Sequence, residues 1–507
     1  MFVRKKKNRS GSTTVVVVDK SRRGFKEIHN LGTSSDPQEI ERFYSEAKKW
    51  ISSYGGQRSL DLFPEESLIS SDQIFNSVEG LHHDGAYRLL EMVYDRIGFD
   101  TIGDKTLKDL VIARICEPMS KLATIDYMRQ QWGENYHYQQ IYRYLDLLNS
   151  SLKEPVLKLS VEHTRKILGG AITMAFYDVT TLYFESFRED NLRAPGFSKD
   201  SKTAETQVVL GLLVSQDGYP LAYSLFNGSQ FEGRTMIPIV DDFIQRYGIG
   251  DFVLVADAGL MSDRNLTLLR QAGFKFVIGA RIRKESKALA EWITGLPKKQ
   301  GTVYEKRKPN NDRLIVSWSE KRAEKDAFNR TRGVARLEKA YKSGKITKDK
   351  INKRGYNKFL QISSDVQVTI NRDKIEDDAK WDGWKGYLTN TELSSEECIS
   401  QYHGLWAVER AFRISKGTLD MRPMFHFTEK RIEAHVCLCF IALKVYKELE
   451  RLLQAMESNL SIDKVLAIAK TVATLTLKLP SGEKCSKTLF ITPEQKEIEN
   501  IFGSLGV

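Results

Sequence analysis

One aspartate lies in the middle of an apolar strand pattern, and this arrangement most constrains how the chain can fold. The stretch Ile172-Thr-Met-Ala-Phe-Tyr-Asp-Val-Thr-Thr-Leu-Tyr-Phe alternates with a period of two, so Asp178 shares a face with the apolar residues Ile172, Met174, Phe176, Leu182 and Phe184. An unpaired carboxylate on such a face is costly unless a cation or hydrogen-bond donors compensate it. We therefore favour a functional role for Asp178 over a simple pairing with an arginine.

The elements around Asp178 are predicted in a defined order. Strands at 171–184, 208–215 and 221–227, with Gln216-Asp-Gly as a turn, form a three-stranded antiparallel meander. Helices and strands then alternate, at 236–247 (helix), 252–256 (strand), 263–271 (helix after a Ser262 cap) and 274–280 (strand). A meander followed by this alternation is the order of an α/β, RNase H-like fold.

Changes in pattern along the chain predict five regions. They are an N-terminal basic arm and mostly helical DNA-binding region at 1–168, the first part of an RNase H-like core at 169–283, a basic and then β-rich insertion at 284–400, the second part of the core at 401–449, and a small C-terminal tail domain at 450–507. Within the first region, the β-branched stretch at 13–18 suggests a small hairpin or an arm at residues 1–30. Short helices at 120–131 and 138–148 flank Gly133 and fit a helix-turn-helix, a pattern that plain helical hairpins share.

The positive charge is concentrated in two segments. Lys and Arg number 77 and Asp and Glu number 66, a net charge of +11. Residues 281–358 contain 24 basic against 9 acidic residues, and residues 1–30 contain 9 against 2. A single run of this kind is usually a solvated helix face, but two basic segments on an otherwise acidic chain indicate a polyanionic partner, most commonly nucleic acid.

Cysteine usage and hydropathy indicate the compartment. The five cysteines form no CxxC pair, which is typical of a reducing compartment and of a chain without a structural zinc site. No uncharged apolar run approaches the roughly 18 residues that a membrane helix needs. We expect a cytoplasmic protein without a membrane partner.

Two further carboxylates stand out. Asp257 closes the apolar strand at 252–256, at the end where α/β sheets gather their ligands, and Ser262 is the better placed cap of the next helix. Glu409 lies on a predicted helix whose same face carries aromatic and basic residues, namely Tyr402, Trp406, Phe412, Arg413 and Lys416. For Glu409 alone, an amphipathic helix with a Glu409–Arg413 surface pair explains the pattern equally well.

Three carboxylates on separate elements indicate phosphodiester chemistry. Cleavage and strand exchange use two hard cations roughly 4 Å apart, one at the attacking oxygen and one at the leaving oxygen. Mg²⁺ prefers oxygen ligands, so two Asp and one Glu suffice. His426 and His435 are expected to be packing or capping residues rather than ligands.

The residues around Glu409 also carry a family resemblance. Tyr402, Leu405, Glu409 and Lys416 have the spacing of a Tyr, Arg, Glu, Lys (YREK) signature, with Leu405 in the place of Arg. The runs Glu-Arg-Ala-Phe-Arg, Asp-Met-Arg-Pro-Met-Phe-His and Phe-Tyr-Asp-Val-Thr-Thr-Leu-Tyr-Phe-Glu are similar too. The chain resembles the DDE transposases of bacterial insertion sequences, in family four, and most of all its sixteen-thirty-four branch.

The resemblance implies a function. Asp178, Asp257 and Glu409 would be the catalytic, metal-binding triad, with two Mg²⁺ ions and Mn²⁺ as a substitute. The enzyme would bind the terminal inverted repeats of its element in double-stranded DNA, as a homodimer or higher oligomer. It would cleave the ends by hydrolysis and join the freed 3′-OH to target DNA.

The resemblance also implies DNA contacts. Tyr402 and Lys416 would contact phosphates near the cut, and either Arg410 or Arg413 would replace the missing signature Arg, Arg413 being on the right face. Trp381 and Trp384 are candidates to stack a flipped base, and burial in the core explains them equally well. Two other functions stay open, a catalytically impaired copy that represses transposon ends and an RNase H-like nuclease, but three carboxylates at plausible positions favour the transposase.

Overall fold

The computed structural model describes residues 1–20, 24–54, 75–196, 205–249, 252–260, 262–343, 355–362, 368–479 and 482–506. They fall into two compact units, Met1–Ser77 and Val78–Val507. The boundary lies well before residue 168, because the helices that follow residue 84 pack within the larger unit. None of the helices in these ranges is long and apolar enough to cross a membrane.

The first unit is a three-stranded antiparallel sheet covered by a helix. Its strands are β1 (Phe2–Lys7), β2 (Thr13–Asp19) and β3 (Lys26–Ser34), in that order, and its helix is α1 (Pro37–Ser53). Val15 and Val17 of β2 pack against Ala47 of α1. The antiparallel pair β1 and β2 agrees with the small hairpin that was one of the two expectations here. The third strand and the covering helix were not expected, because the four successive buried valines of β2 lack the alternation that would indicate a covered sheet face.

The second unit begins with a strand and a set of helices. These are β4 (Val78–His82), α2 (Gly85–Ile97), α3 (Lys105–Cys116), α4 (Lys121–Trp132) and α5 (Tyr138–Ile167). The Ser120 side chain caps α4 by accepting from the Ala123 N–H, and Gly133 ends the helix at φ 75°. The expected helix pair is confirmed, although α5 runs on to residue 167 through Pro155.

The main sheet surrounds the strand that carries Asp178. Its first elements are β5 (Met174–Tyr183), β6 (Ala194–Pro195), β7 (Thr206–Ser215), β8 (Pro220–Asn227), α6 (Met236–Tyr247), β9 (Val253–Ala256), α7 (Asp263–Gln271) and β10 (Lys275–Ala280). Strands β5, β7 and β8 form the expected antiparallel meander. Strand β9 then pairs in parallel with β5, and β10 in parallel with β9, which confirms a mixed α/β fold.

Residues 284–400 extend this sheet. Their elements are α8 (Lys287–Gly295), β11 (Val303–Arg307), β12 (Arg313–Trp318), α9 (Glu320–Lys342), β13 (Leu360–Ile362), β14 (Val368–Ile370), α10 (Arg372–Ala379), β15 (Trp384–Thr389) and α11 (Ser395–His403). Strand β15 pairs with both β10 and β12, so three of these strands continue the core sheet. The expected β-rich insertion also contains the 23-residue helix α9, whose mostly charged surface gives little apolar periodicity.

The rest of the chain covers the sheet and returns to β4. Its elements are α12 (Trp406–Arg413), a π-helical segment (Ile414–Thr418), α13 (Glu429–Ala455), α14 (Ile462–Ala469), β16 (Ala473–Lys478), β17 (Lys484–Leu489) and α15 (Pro493–Leu505). Helix α13 is central to the largest apolar cluster, and Cys437 and Cys439 are buried packing residues there. Because β16 pairs with β4, the C-terminal residues share a sheet with residues 78–82 rather than forming a separate tail domain.

Candidate active site

Asp178 and Asp257 lie side by side on neighbouring parallel strands. In the register of β5 and β9, Tyr177 faces Ala256, and the next residue on each strand is one of the two aspartates. Adjacent strands are about 4.8 Å apart, so the two backbones hold the carboxylates within reach of a shared ligand. The register therefore puts two of the three acids that the sequence singled out at one place in the sheet.

The two aspartates lie on the sheet face that α12 covers. Phe176 and Val255, each two residues before its aspartate, belong to the same apolar cluster as Val408 of α12, and side chains two apart on a strand share a face. Gly404, just before α12, allows this close packing, because a Cβ there would lie 2.7 Å from the Phe176 ring. Asp178 is half-buried and Asp257 is exposed.

Each aspartate is oriented by backbone donors. The Val179 N–H donates to Asp178 Oδ1 at 2.8 Å, and the Ala258 N–H donates to Asp257 Oδ1 at 2.7 Å. The Tyr402 hydroxyl donates to the same Asp257 oxygen at 3.0 Å. The carboxylate of Asp257 is therefore held from two sides, by the start of a 3₁₀ turn and by helix α11.

Tyr402 is buried, which differs from the DNA contact that the family resemblance implied. Its side chain is 8% exposed, and its hydroxyl is directed to Asp257. Gly279 of β10 makes room for it, since a Cβ at that position would lie 2.6 Å from the Tyr402 oxygen. The signature tyrosine thus positions an acid within the protein.

Lys385 is a site residue that the sequence did not reveal. It lies on β15, half-buried, with its ammonium 4.5 Å from the centroid of the Tyr402 ring. Burial, and after it the positive charge of Arg322, lowers the pKa of Lys385, while the negative charges of Asp257 and Glu409 oppose that shift. In the sequence Lys385 stands out only as the residue after Trp384. Its place in the site depends on the pairing of β15 with β10, which are far apart in the chain.

Glu409 lies in the first turn of α12 and is exposed. The negative charges of Glu409 and Asp257 both act on the pKa of Lys385, so these two acids lie near the same lysine. Its neighbour Val408 is fully buried, which fixes the helix against the sheet. The three acids that the sequence indicated are thus on adjoining elements.

The other signature positions are divided between core and surface. Leu405 is 8% exposed and belongs to the apolar cluster, as its side chain requires. Arg410 forms an ion pair with Glu450 of α13, whereas Arg413 is exposed. Lys416 is half-buried, with its ammonium 5.6 Å from the centroid of the Phe412 ring. Of the two candidate replacements for the missing arginine, Arg413 is the more accessible, and Arg410 is held by its ion pair.

The two tryptophans differ in access. Trp384 is 3% exposed within an apolar cluster that includes Ile293 and Leu314. Trp381 is half-buried at the edge of the same cluster, and Arg283 lies 6.0 Å from its ring centroid. Trp384 is accordingly a core residue, and only Trp381 has a ring that a base could reach.

The donor chemistry of the two aspartates fits a divalent cation. Carboxylate oxygens, here from two neighbouring aspartates, are the ligands that Mg²⁺ prefers. Within the described ranges, however, no three His, Cys, Asp or Glu side chains are close enough to hold one ion together. Glu409 would have to approach the aspartates to share an ion with both.

Comparison with known proteins places the chain in a family. A family model described as a transposase DDE domain matches residues 175–444. The match covers more than half of the 507 residues, and the chain belongs to this transposase family.

A solved structure described as a cryo-EM structure of the piggyBac transposase synaptic complex with hairpin DNA is similar, with 8% identity and a TM-score of 0.37 over 83% of this chain and 70% of that one. No curated protein sequence matches this chain.

Proposed function

We propose that this chain is the transposase of a bacterial insertion sequence, in family four and its sixteen-thirty-four branch. It binds the terminal inverted repeats of its element in double-stranded DNA, cleaves the ends and joins the 3′-OH to a target. The observation that carries this proposal is the adjacency of Asp178 and Asp257 on parallel strands, under the helix that carries Glu409. The strand order β8, β7, β5, β9, β10 supports an RNase H-like core.

Asp178, Asp257 and Glu409 are the proposed catalytic residues and would hold two Mg²⁺ ions, with Mn²⁺ as a substitute. When bound, the metal ions activate the attacking oxygen and stabilise the leaving oxygen. The chain's own contribution is orientation: Tyr402 and the Ala258 N–H hold one oxygen of Asp257 in a defined direction. Carboxylates that are already held in place lower the free energy that their reorientation would otherwise cost during the reaction.

Basic residues around the acids would bind the DNA backbone. Lys385 lies beside Tyr402, Arg413 is exposed on α12, and Lys416 follows on the π-helical segment. Contacts to phosphate position DNA without reading its sequence. The helix pair α4 and α5 is the proposed end-recognition element, and Trp381 the proposed stacking residue. We propose a homodimer or higher oligomer on paired ends, in the cytoplasm.

The test uses the DNA on either side of the gene. Terminal inverted repeats are located there, and a labelled duplex that carries one end is incubated with the full chain and Mg²⁺. We expect nicking at the repeat boundary and joining to a second DNA. Asp178→Asn, Asp257→Asn and Glu409→Gln should each abolish cleavage and leave DNA binding intact, whereas Asp217→Asn, in the exposed turn between β7 and β8, should be fully active.

Three outcomes would contradict the proposal in different ways. Cleavage that persists in one of the three variants removes that residue from the triad. Tight binding without any Mg²⁺- or Mn²⁺-dependent cut favours an impaired copy that represses transposon ends. Cutting without joining favours an RNase H-like nuclease.

A further inference from the structure

A cavity in the second unit contains two buried cations. It has a volume of about 380 Å³ and lies between α3, the start of α4 and the loop before α13. Arg114 and Lys121 line it, and each is 5% exposed. Two positive charges withdrawn from water in one place are unfavourable unless an anion joins them.

Lys121 has no anionic partner among the residues that the structure describes. Among the described residues, no oxygen lies within hydrogen-bonding or ion-pair distance of its ammonium, and burial lowers the pKa of Lys121 to about 7, with a further contribution from Arg114. By contrast Lys444, which is fully buried, donates to Ser160 O at 3.0 Å and to Thr164 Oγ1 at 2.6 Å. Lys444 is thus hydrogen-bonded within the protein, whereas the ammonium of Lys121 faces a cavity.

The remaining charges of the lining do not neutralise this pair. Arg114 donates to the backbone oxygen of Met119 at 3.1 Å. Arg431 also lines the cavity, but it is paired with Asp146 at 2.7 Å. Asp420 is the one carboxylate among the lining residues of the described chain, so the lining keeps an excess of positive charge. The positive end of the α4 dipole adds to it, because Ser120 and Lys121 begin that helix.

The rim of the cavity is aromatic. Phe425 and Phe427 are 61% and 55% exposed, and Tyr142 and His426 lie beside them in the lining. Burial lowers the pKa of His426 to about 3, so its imidazole is neutral and adds no charge at pH 7. Flat rings above buried cations suit a ligand that combines an aromatic base with a phosphate.

We propose that this cavity binds a nucleotide, with its phosphate against Lys121 and Arg114 and its base against Phe425. The volume is within the usual range for small-ligand sites, roughly 300–1,000 Å³. The source of the nucleotide is either a DNA strand or free nucleotide, since both offer the same chemistry. The DNA source rests on the proposed function.

The position of the cavity favours a DNA strand. The loop that forms its rim is hydrogen-bonded to the end of β5, where the Met424 N–H donates to the Tyr183 oxygen at 3.1 Å. Asp178 lies five residues earlier on the same strand, roughly 16 Å away at 3.3 Å per residue. A strand that reaches the carboxylates could therefore also reach this pocket.

Thermal unfolding of the full chain tests the proposal. A ligand that binds only the folded state raises Tm. The probes are deoxyadenosine 5′-monophosphate, a single-stranded deoxyoligonucleotide, inorganic phosphate and deoxyadenosine. We expect the monophosphate or the oligonucleotide to raise Tm more than phosphate or nucleoside alone. A larger rise with the oligonucleotide identifies a DNA strand as the source, and a larger rise with the monophosphate identifies free nucleotide.

Three variants assign the effect to the pocket. Lys121→Met should weaken the apparent affinity at least tenfold without lowering Tm in the absence of ligand, because an apolar residue of similar size removes a buried charge. Phe425→Ala should also weaken binding, whereas Phe328→Ala, which removes an equally exposed ring from α9, should not. Asp257→Asn should keep the nucleotide effect, so a failure of the catalytic proposal is distinguishable from a failure of this one.

Several results would overturn the assignment. They are the absence of any Tm rise with either nucleotide probe, an equal rise in Lys121→Met, and a full effect of inorganic phosphate alone.

Discussion

The Tyr402 hydroxyl lies 3.0 Å from Asp257 Oδ1 and donates a hydrogen bond to it. The tyrosine precedes α12, whereas the aspartate follows β9, so this bond joins the helical layer to the end of a central strand of the sheet. The same ring faces the ammonium of Lys385 at 4.5 Å. Tyr402 therefore connects the second aspartate with a cation that the insertion contributes.

Removing this hydroxyl should impair activity more than stability. Hydrogen bonds to charged groups contribute about 1.5–3 kcal/mol, so we expect Tyr402→Phe to lower the cleavage rate about tenfold or more. The ring and its packing are kept, and Asp257 is exposed, so Tm should change little. Tyr304→Phe is a matched control, because it removes a hydroxyl that donates to Pro297 O at 2.9 Å, away from the acids. Equal cleavage by both variants would contradict a positioning role.

A methyl group at position 279 should act through the same tyrosine. The added Cβ of Gly279→Ala would lie 2.6 Å from the Tyr402 oxygen, so we expect lower Tm and lower activity. In the Tyr402→Phe background the contact with the oxygen is removed, while the Cβ would still lie 3.0 Å from the Ala258 nitrogen. The stability loss should therefore be smaller but not abolished, which a double-mutant cycle measures. Gly295→Ala, where the Cβ meets nothing within 4 Å, should have no comparable effect. Additive losses would show that the methyl group acts elsewhere.

The sequence predicted the elements and acids whose signals are local. Helices 236–247 and 263–271 match their expected bounds, and the second begins at its expected Ser262 cap. Asp178 and Asp257 stood out separately, one inside an apolar strand and one just after another, and only the family resemblance joined them in one site. Lys385 was not found, since its place beside Tyr402 depends on the pairing of β15 with β10, which no periodicity reveals.

The third strand of the N-terminal sheet and the helix α9 were missed for a similar reason. The valines of β2 are buried on both faces and show no alternation, and only Gly333, Val334 and Leu337 of α9 are buried. So few buried residues are not enough to reveal a helical or strand period in the sequence. Tyr402 was expected to contact DNA, whereas its hydroxyl is bonded to Asp257, because sequence spacing cannot tell a phenol that binds DNA from one that binds a carboxylate.

Lys385 should contribute to DNA binding. We expect Lys385→Met to reduce the dependence of log K on log salt by about 0.9, the value of one lost phosphate contact. Because the folded state lowers the pKa of Lys385, removing its charge should not reduce Tm. Lys496→Met, on the exposed side of α15 and outside both basic segments, makes the same change of charge and should leave the slope unaltered. An unchanged slope for Lys385→Met would assign this lysine to the protein interior alone.

The two tryptophans should respond differently to truncation. Trp384→Ala removes a ring that is 3% exposed and should lower the free energy of unfolding by about 3–5 kcal/mol. Trp381→Ala removes a half-buried ring and should be clearly less destabilising, while weakening DNA binding if the ring stacks on a base. Urea unfolding and a binding titration separate these effects. Equal destabilisation by both variants would mean that Trp381 also serves only the core.

Stability should rise with pH because of Lys121. Burial lowers the pKa of Lys121 to about 7 in the folded chain, from 10.5 without that burial, so the unfolded chain binds more protons between those values. Stability therefore increases as pH rises from about 7 toward 10.5. The raised pKa of Cys116, about 12, opposes this trend above pH 9, so the comparison is made between pH 7 and 9. Urea unfolding of Lys121→Met should show a shallower increase over that range than the parent chain, and parallel pH curves would show that Lys121 does not lose its proton there.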